Sequence, residues 1–138
     1  MAPDNKALVA MWFEEVWNKG RSEAIDDMMA PNCVVHGLGP KPQDIAAFKR
    51  FHAQYRDAFP DIRIIIEQTV AEGDVVAVRW NGAATHRGHG LGFAATNRRA
   101  QFGGMVFARV SDGKLVEGWN NFDQLGMLLQ LGVVTLPA

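Results

Sequence analysis

The side chains best able to do proton chemistry lie in DGKLVEGWNNFD, Asp112–Asp123. Period-two alternation along an extended stretch puts Glu117, Trp119, Asn121 and Asp123 on one side, and Gly118, Asn120 and Phe122 on the other. If the first side faces an enclosed space, Asp123 sits among apolar groups beside an indole and an amide. Desolvation there would raise its pKa toward a value useful to a general base or acid. Asn121 would donate a hydrogen bond to an enolate or carbonyl oxygen. Asp123 also stands where the pattern turns helical, so it can simply cap the last helix; the two roles are compatible. His36 ends a short extended run before Gly37. It is either a satisfied strand-end residue or the acid or hydrogen-bond partner opposite Asp123.

Further groups could line the same space. Arg79 would bind a carboxylate or ester oxygen if it faces inward, and is a solvated surface charge if it faces outward. Tyr55 offers a hydroxyl, and Phe13, Trp17 and Phe107 offer aromatic wall. His86 and His89 in THRGHG are close enough to suggest a metal pair, but they lie in a loop with no third ligand in evidence. No metal site is expected. His52, on the apolar face of a helix, reads as a packed or rim histidine. GHGLGF at Gly88–Phe93 has alternating glycines but no strand-to-helix turn before it and no P-loop lysine, which argues against a nucleotide. Cys33, the only cysteine, can form no intrachain disulfide and has no evident activating neighbour.

Helices and strands must position these groups. Asp4 or Asn5 caps a first helix that runs to about Asn18, with Leu8, Val9, Met11, Trp12, Phe13, Val16 and Trp17 over a wide apolar face. Gly20 stops it. Ser22 starts a short second helix that Pro31 ends. Cys33–His36 is a strand. Asp44 starts a third helix to about Phe59, with Ile45, Phe48, His52, Tyr55 and Phe59 on one face. Strands follow at Ile62–Val70, Val75–Thr85, Arg99–Val110 and Leu115–Phe122. Asp112-Gly113 is a tight hairpin turn. Asp123 or Asn121 caps a last helix that runs to about Leu131, and Gly132 ends it. Helices first and an antiparallel meander after them indicate an α+β fold.

The 138 residues fit one domain, residues 1–138, with a sizeable core. A net charge of -1, with both signs scattered, gives no basic stripe for nucleic acid. No apolar run approaches the ~20 residues of a membrane span. The N-terminal MAPDNKALVAMWF lacks the character of a signal peptide. A cytoplasmic protein is expected.

FPD at Phe59–Asp61, GD at Gly73-Asp74, VAVRW at Val76–Trp80, THRG through GF at Thr85–Phe93, DGKLVEGWNNFD at Asp112–Asp123 and LLQLG at Leu128–Gly132 occur in that order. Together they resemble the SnoaL-like polyketide cyclases, or ester cyclases, of the nuclear transport factor 2-like superfamily. The resemblance runs from EEVWNKG in the first helix to the C-terminus. It implies a cone-shaped barrel, a strongly curved antiparallel sheet with three or four helices enclosing a mostly apolar pocket. It also implies a homodimer through the outer sheet face. There, Val106 and Val110 would be exposed if the strand parity runs that way.

The activity implied is intramolecular aldol ring closure on a small hydrophobic carbonyl compound, with no cofactor. By its place in W-x-x-x-D, Asp123 resembles the family's acid/base residue. His36 falls where a pocket histidine or asparagine stands. His86 matches the histidine of G-T-H, although Ala84 replaces the glycine. Ala95-Thr96-Asn97 replaces the usual P-T-G. Two other functions remain open: a non-catalytic module that binds a hydrophobic ligand, and an epoxide or ester hydrolase. The second needs an arginine between two aspartates, and no clear second inward aspartate accompanies Asp123.

Overall fold

A computed structural model describes residues 4–138. The first three residues of the N-terminal stretch lie outside it. The Asp4 carboxylate accepts the Lys6 N–H and so caps α1 (Asn5–Trp12). The helix does not stop at Trp12 but passes into a π-helical stretch, Phe13–Asn18, which places Phe13, Val16 and Trp17 in the core. α2 (Glu23–Met28) is short and leads straight into β1 (Met29–His36). That strand is longer than the sequence suggested and contains Pro31, since β1 is an edge strand and an edge can lose an N–H donor. α3 (Ile45–Ala58) is capped by Asp44. The remaining strands are β2 (Arg63–Glu72), β3 (Val75–Thr85), β4 (Arg99–Ser111) and β5 (Lys114–Phe122), and α4 (Gln124–Leu131) follows.

The sheet order is β1-β5-β4-β3-β2. β2 to β5 form the expected antiparallel meander. β1, however, pairs parallel to β5, so the sheet is mixed and ends in two edge strands, β1 and β2, rather than closing as a barrel. The α+β class is as expected. The long path through α3 between β1 and the meander permits the parallel pairing, because parallel neighbours need a crossover connection.

One face of the sheet is covered by helices and holds the core. On β3 the covered residues are Val76, Val78, Trp80 and Ala84. On β4 they are Ala100, Phe102, Ala108 and Val110. Trp80 lies flat across the covered face because Gly104 leaves it room: a Cβ at Gly104 would come within 2.6 Å of the Trp80 ring. The Gly88–Phe93 glycines have a similar use. A Cβ at Gly88 or Gly90 would fall 2.1 Å from a backbone carbonyl near the end of α3, so the alternating glycines let this loop lie against the helix.

The end of the first helical segment is held by α3. The His52 ring donates from Nε2 to the Val16 carbonyl at 2.6 Å, and Arg56 donates to the Trp17 carbonyl at 3.2 Å. These are carbonyls that a helix C-terminus leaves without intrahelical partners. Burial holds the His52 imidazole below its ordinary pKa, and nearby Arg56 acts in the same direction.

Candidate functional site

The covered face encloses an aromatic cavity between the sheet and the first and third helices. Its walls include Trp12, Phe13 and Trp17 from the N-terminal helix, Phe48, Phe51 and Tyr55 from α3, and Trp80, Phe102 and Phe122 from the sheet. The rings meet at distances typical of aromatic pairs: Phe51–Tyr55 4.4 Å, Tyr55–Phe122 5.9 Å and Trp12–Phe48 5.7 Å between centroids. The void they leave is about 50 Å³. A second void of about 40 Å³ lies deeper, toward Met29, Cys33, Val35 and Leu115. Each has room for a few water molecules.

Few polar side chains border the first void: Tyr55, Asn120 and Asn121, besides the indoles. Asn120 points inward and borders both voids, while its amide donates to the His36 carbonyl at 3.0 Å. The Tyr55 hydroxyl accepts from Gln124 at 3.4 Å, and burial raises its pKa, so it remains a phenol able to donate. The indole N–H groups of Trp12 and Trp80 are buried and have no hydrogen-bond partner among the described residues. The described residues bordering this void include no carboxylate and no imidazole.

The sequence reading placed Glu117, Trp119, Asn121 and Asp123 on the pocket side of the last strand. The structure turns them the other way. Leaving the hairpin, Ser111 pairs with Lys114 and Val110 with Leu115, but the next pair is Arg109 with Glu117. Val116 is an extra residue in β5, a β-bulge. One extra residue transfers every later side chain to the opposite face. Trp119 therefore sits across from Phe107, and Asn121 across from Met105, on the face without helices. Asn120 and Phe122 take the inner positions opposite Val106 and Gly104.

Each proposed site residue can now be located. Phe13, Trp17 and Tyr55 line the inner cavity. Trp119, Arg79, Phe107 and Asp123 border a wide groove on the open face, and Asn121 borders both that groove and the inner cavity. Arg79 thus faces outward, where it donates to Gln68 at 3.4 Å.

Asp123 is exposed, and its carboxylate accepts the Gly126 N–H at 2.8 Å, the helix-cap bond. His36 is also on the open face. Its Nε2 lies 2.8 Å from a Glu117 oxygen, and its ring stacks on Trp119 at 5.2 Å with an interplanar angle of 7°. His36 pairs with Trp119, four residues before Asp123. At ~3.3 Å per strand residue that separates the two by about 13 Å, so they are not facing partners.

Arg109 joins the same surface line, 3.2 Å from Asp74, 3.8 Å from Glu117 and 5.8 Å from the Trp119 ring centre. It stands between two carboxylates, but at the surface, where such pairs add at most ~1 kcal/mol each. The exposed apolar residues of this face are Met105 (61% exposed), Phe107 (54%), Ile65 and Val70. A dimer interface through it would be built on these, because Val106 and Val110 face inward.

His86 is fully buried but does not border the cavity. The Thr96 N–H donates to its Nδ1 at 3.1 Å, which puts the ring proton on Nε2. Phe59 and Phe93 flank the ring. Burial first, and His89 second, hold its pKa below the ordinary value. It fixes the His86–Arg98 loop. Thr96, the residue of Ala95-Thr96-Asn97 that keeps the motif's threonine, is the one that holds it. Cys33 is buried and its thiol is pushed up to about 11, chiefly by burial and secondarily by Glu117, so it is not a nucleophile near neutral pH.

Sequence reasoning did not single out Trp80 or Phe48 among the aromatics, did not name Phe102, and put Asn120 on the other side of its strand. β3 carried a usable signal: Val76, Val78 and Trp80 are apolar, whereas Arg79 and Asn81 alternate with them as polar residues. Carrying that parity across the hairpin fails at the bulge, which leaves no mark in the composition.

The fold is thus an α+β sheet with an aromatic cavity beneath its helices. The chain belongs to the SnoaL-like polyketide cyclase family, whose model matches residues 7–131. Among solved structures it is similar to AclR, a proposed hydroxylase from Streptomyces galilaeus, at 27% identity and a TM-score of 0.85 over 96% of this chain and 87% of that one. It is also similar to IdmH, a proposed polyketide cyclase from Streptomyces antibioticus, at 29% identity and a TM-score of 0.81 over 94% and 99%. A SnoaL-like protein from Jannaschia sp. CCS1 shares the fold, at 20% identity and a TM-score of 0.85 over 98% of each chain. No curated protein matches the chain.

Proposed function

We propose that this protein is a cofactor-independent cyclase-type enzyme that closes a ring in a small apolar carbonyl compound held in the inner cavity. The observation that carries the reading is the cavity itself. Its walls are aromatic, and its few polar side chains can donate hydrogen bonds: the Asn120 and Asn121 amides and the Tyr55 phenol, with wall residues Trp12 and Trp80 carrying unpaired indole N–H groups. Such a lining favours a flat apolar ligand with carbonyl oxygens, and it would stabilise an enolate oxygen as charge develops there.

In the reaction, a base removes the proton next to one carbonyl, and donors such as Asn120 hold the enolate oxygen. The carbanion carbon then attacks the second carbonyl carbon. The resulting alkoxide takes a proton, and loss of water completes an enone. We assign the base to Asp123, which directly follows the cavity wall residue Phe122. The assignment requires the carboxylate to release the Gly126 N–H, a move available at a helix end.

A second reading is favoured by one observation: the Asp123 carboxylate is exposed and engaged as a cap. On that reading the cavity binds its ligand and does no chemistry. Asp123→Asn separates the two, because asparagine caps a helix about as well as aspartate but cannot act as a base. With heptane-2,6-dione and longer diketones as substrates, formation of the cyclic enone is followed by proton NMR. The enzyme reading predicts turnover that falls at least ~100-fold in the variant at unchanged melting temperature. Equal rates for both proteins would remove Asp123 as the base. No acceleration over buffer, with diketones bound, would leave the binding reading.

A further inference from the structure

The two voids are separated by side chains that belong to both. Trp12, Phe13, Phe48, Val106 and Asn120 border each of them. Among these, Trp12 combines three properties. It is the last residue of the α-helical stretch, directly before the π-helical one. It is only 7% exposed. Its indole N–H has no hydrogen-bond partner among the described residues.

A buried donor without a partner is costly, and native interiors rarely leave one unpaired. Here the donor belongs to a side chain that borders both voids, and the residues around them are mainly apolar, with Tyr55, Asn120, Asn121 and Glu117 the polar ones. Asn120, the other polar group of the partition, already donates to the His36 carbonyl.

We propose that the two voids are halves of one ligand site, that Trp12 is the partition between them, and that its indole N–H is the specificity group that receives a carbonyl oxygen of the ligand. This rests on the inner cavity being the site. Neither void alone holds more than a few waters, so a ring compound enters by displacing the partition. The Trp12 ring is the large group whose movement joins the two spaces. The ligand class follows from the lining: a flat, apolar, fused-ring or ring-forming ketone that presents one oxygen to the indole and aromatic faces to Phe48 and Phe122.

Fluorene and 9-fluorenone test this. They share a flat tricyclic frame and differ in one carbonyl oxygen. Titrations followed by the indole N–H resonances of the nitrogen-15-labelled protein report both affinity and the group contacted. The wild type should bind fluorenone about tenfold more tightly than fluorene, the effect of one hydrogen bond. The Trp12 indole proton should move downfield with fluorenone only. In Trp12→Phe, which keeps an aromatic partition and removes the donor, the preference should fall to about one.

Should that variant fail to fold, the wild-type Trp12 resonance alone decides: no shift specific to fluorenone overturns the proposal. An undiminished preference in Trp12→Phe overturns it too, while leaving the cavity as the site. Failure of the wild type to bind either compound overturns both the proposal and the cavity reading beneath it.

Discussion

His52 and Asp123 show how much a single residue's role depends on its partners. His52 reads in the sequence as a packed histidine on a helix face, and it is one. Its use is specific: a buried imidazole donates to the Val16 carbonyl and joins α3 to the end of the π-helical stretch. Burial keeps its pKa below the ordinary 6.5. The unfolded chain therefore takes up the proton at higher pH than the native protein does. Stability is full above the unfolded value. It declines as pH falls below about 6.5, until the native imidazole protonates as well. Chemical denaturation between pH 7.5 and 5 should show the decline. His52→Gln can still donate to Val16 without titrating, and it should reduce the slope by at most ~1.4 kcal/mol per pH unit. An unchanged slope would exclude His52 as its source. At Asp123, by contrast, the sequence offered a cap and a base together. The cap is present, and the base is a matter of function that the Asp123→Asn experiment addresses.

The elements were largely legible. Apolar spacing located the first and third helices, capping and stop residues the second and the last, and β-branched runs with the Asp112-Gly113 turn located the meander. Two things were not legible. The parallel pairing of β1 with β5 depends on contacts far apart in sequence. The bulge at Val116 is set by how the β4–β5 hairpin twists, and nothing in LVEGW marks which residue is extra. A one-residue error in register then put Trp119 in the cavity lining where Asn120 and Phe122 stand, while Asn121 borders the cavity as well as the open-face groove. Gly104 was equally silent, since its use appears only when Trp80 lies over it. Gly104→Ala would place a methyl group 2.6 Å from the Trp80 ring and 2.7 Å from the Asn121 carbonyl. It should destabilise the protein by about 1–3 kcal/mol, as overpacking does, and lower the melting temperature by several degrees. A melting temperature equal to wild type would mean that Trp80 can move aside freely.

At the scale of the whole molecule, the sheet has two unlike faces, each with apolar surface of its own. The covered face holds the aromatic cavity. The open face carries Met105, Phe107, Ile65, Val70 and the stacked His36–Trp119 pair. Because both faces of β4 are apolar, its composition could not say which one encloses a ligand. That ambiguity is what misplaced Phe107. Met105 and Val106 are neighbours in the chain and face opposite ways, so their methyl groups distinguish the two faces. Nuclear Overhauser contacts from bound 9-fluorenone to these methyls decide which face holds the ligand. A ligand in the inner cavity gives contacts to Val106 and none to Met105. Contacts to Met105 without Val106 would put the ligand on the open face and contradict the cavity reading.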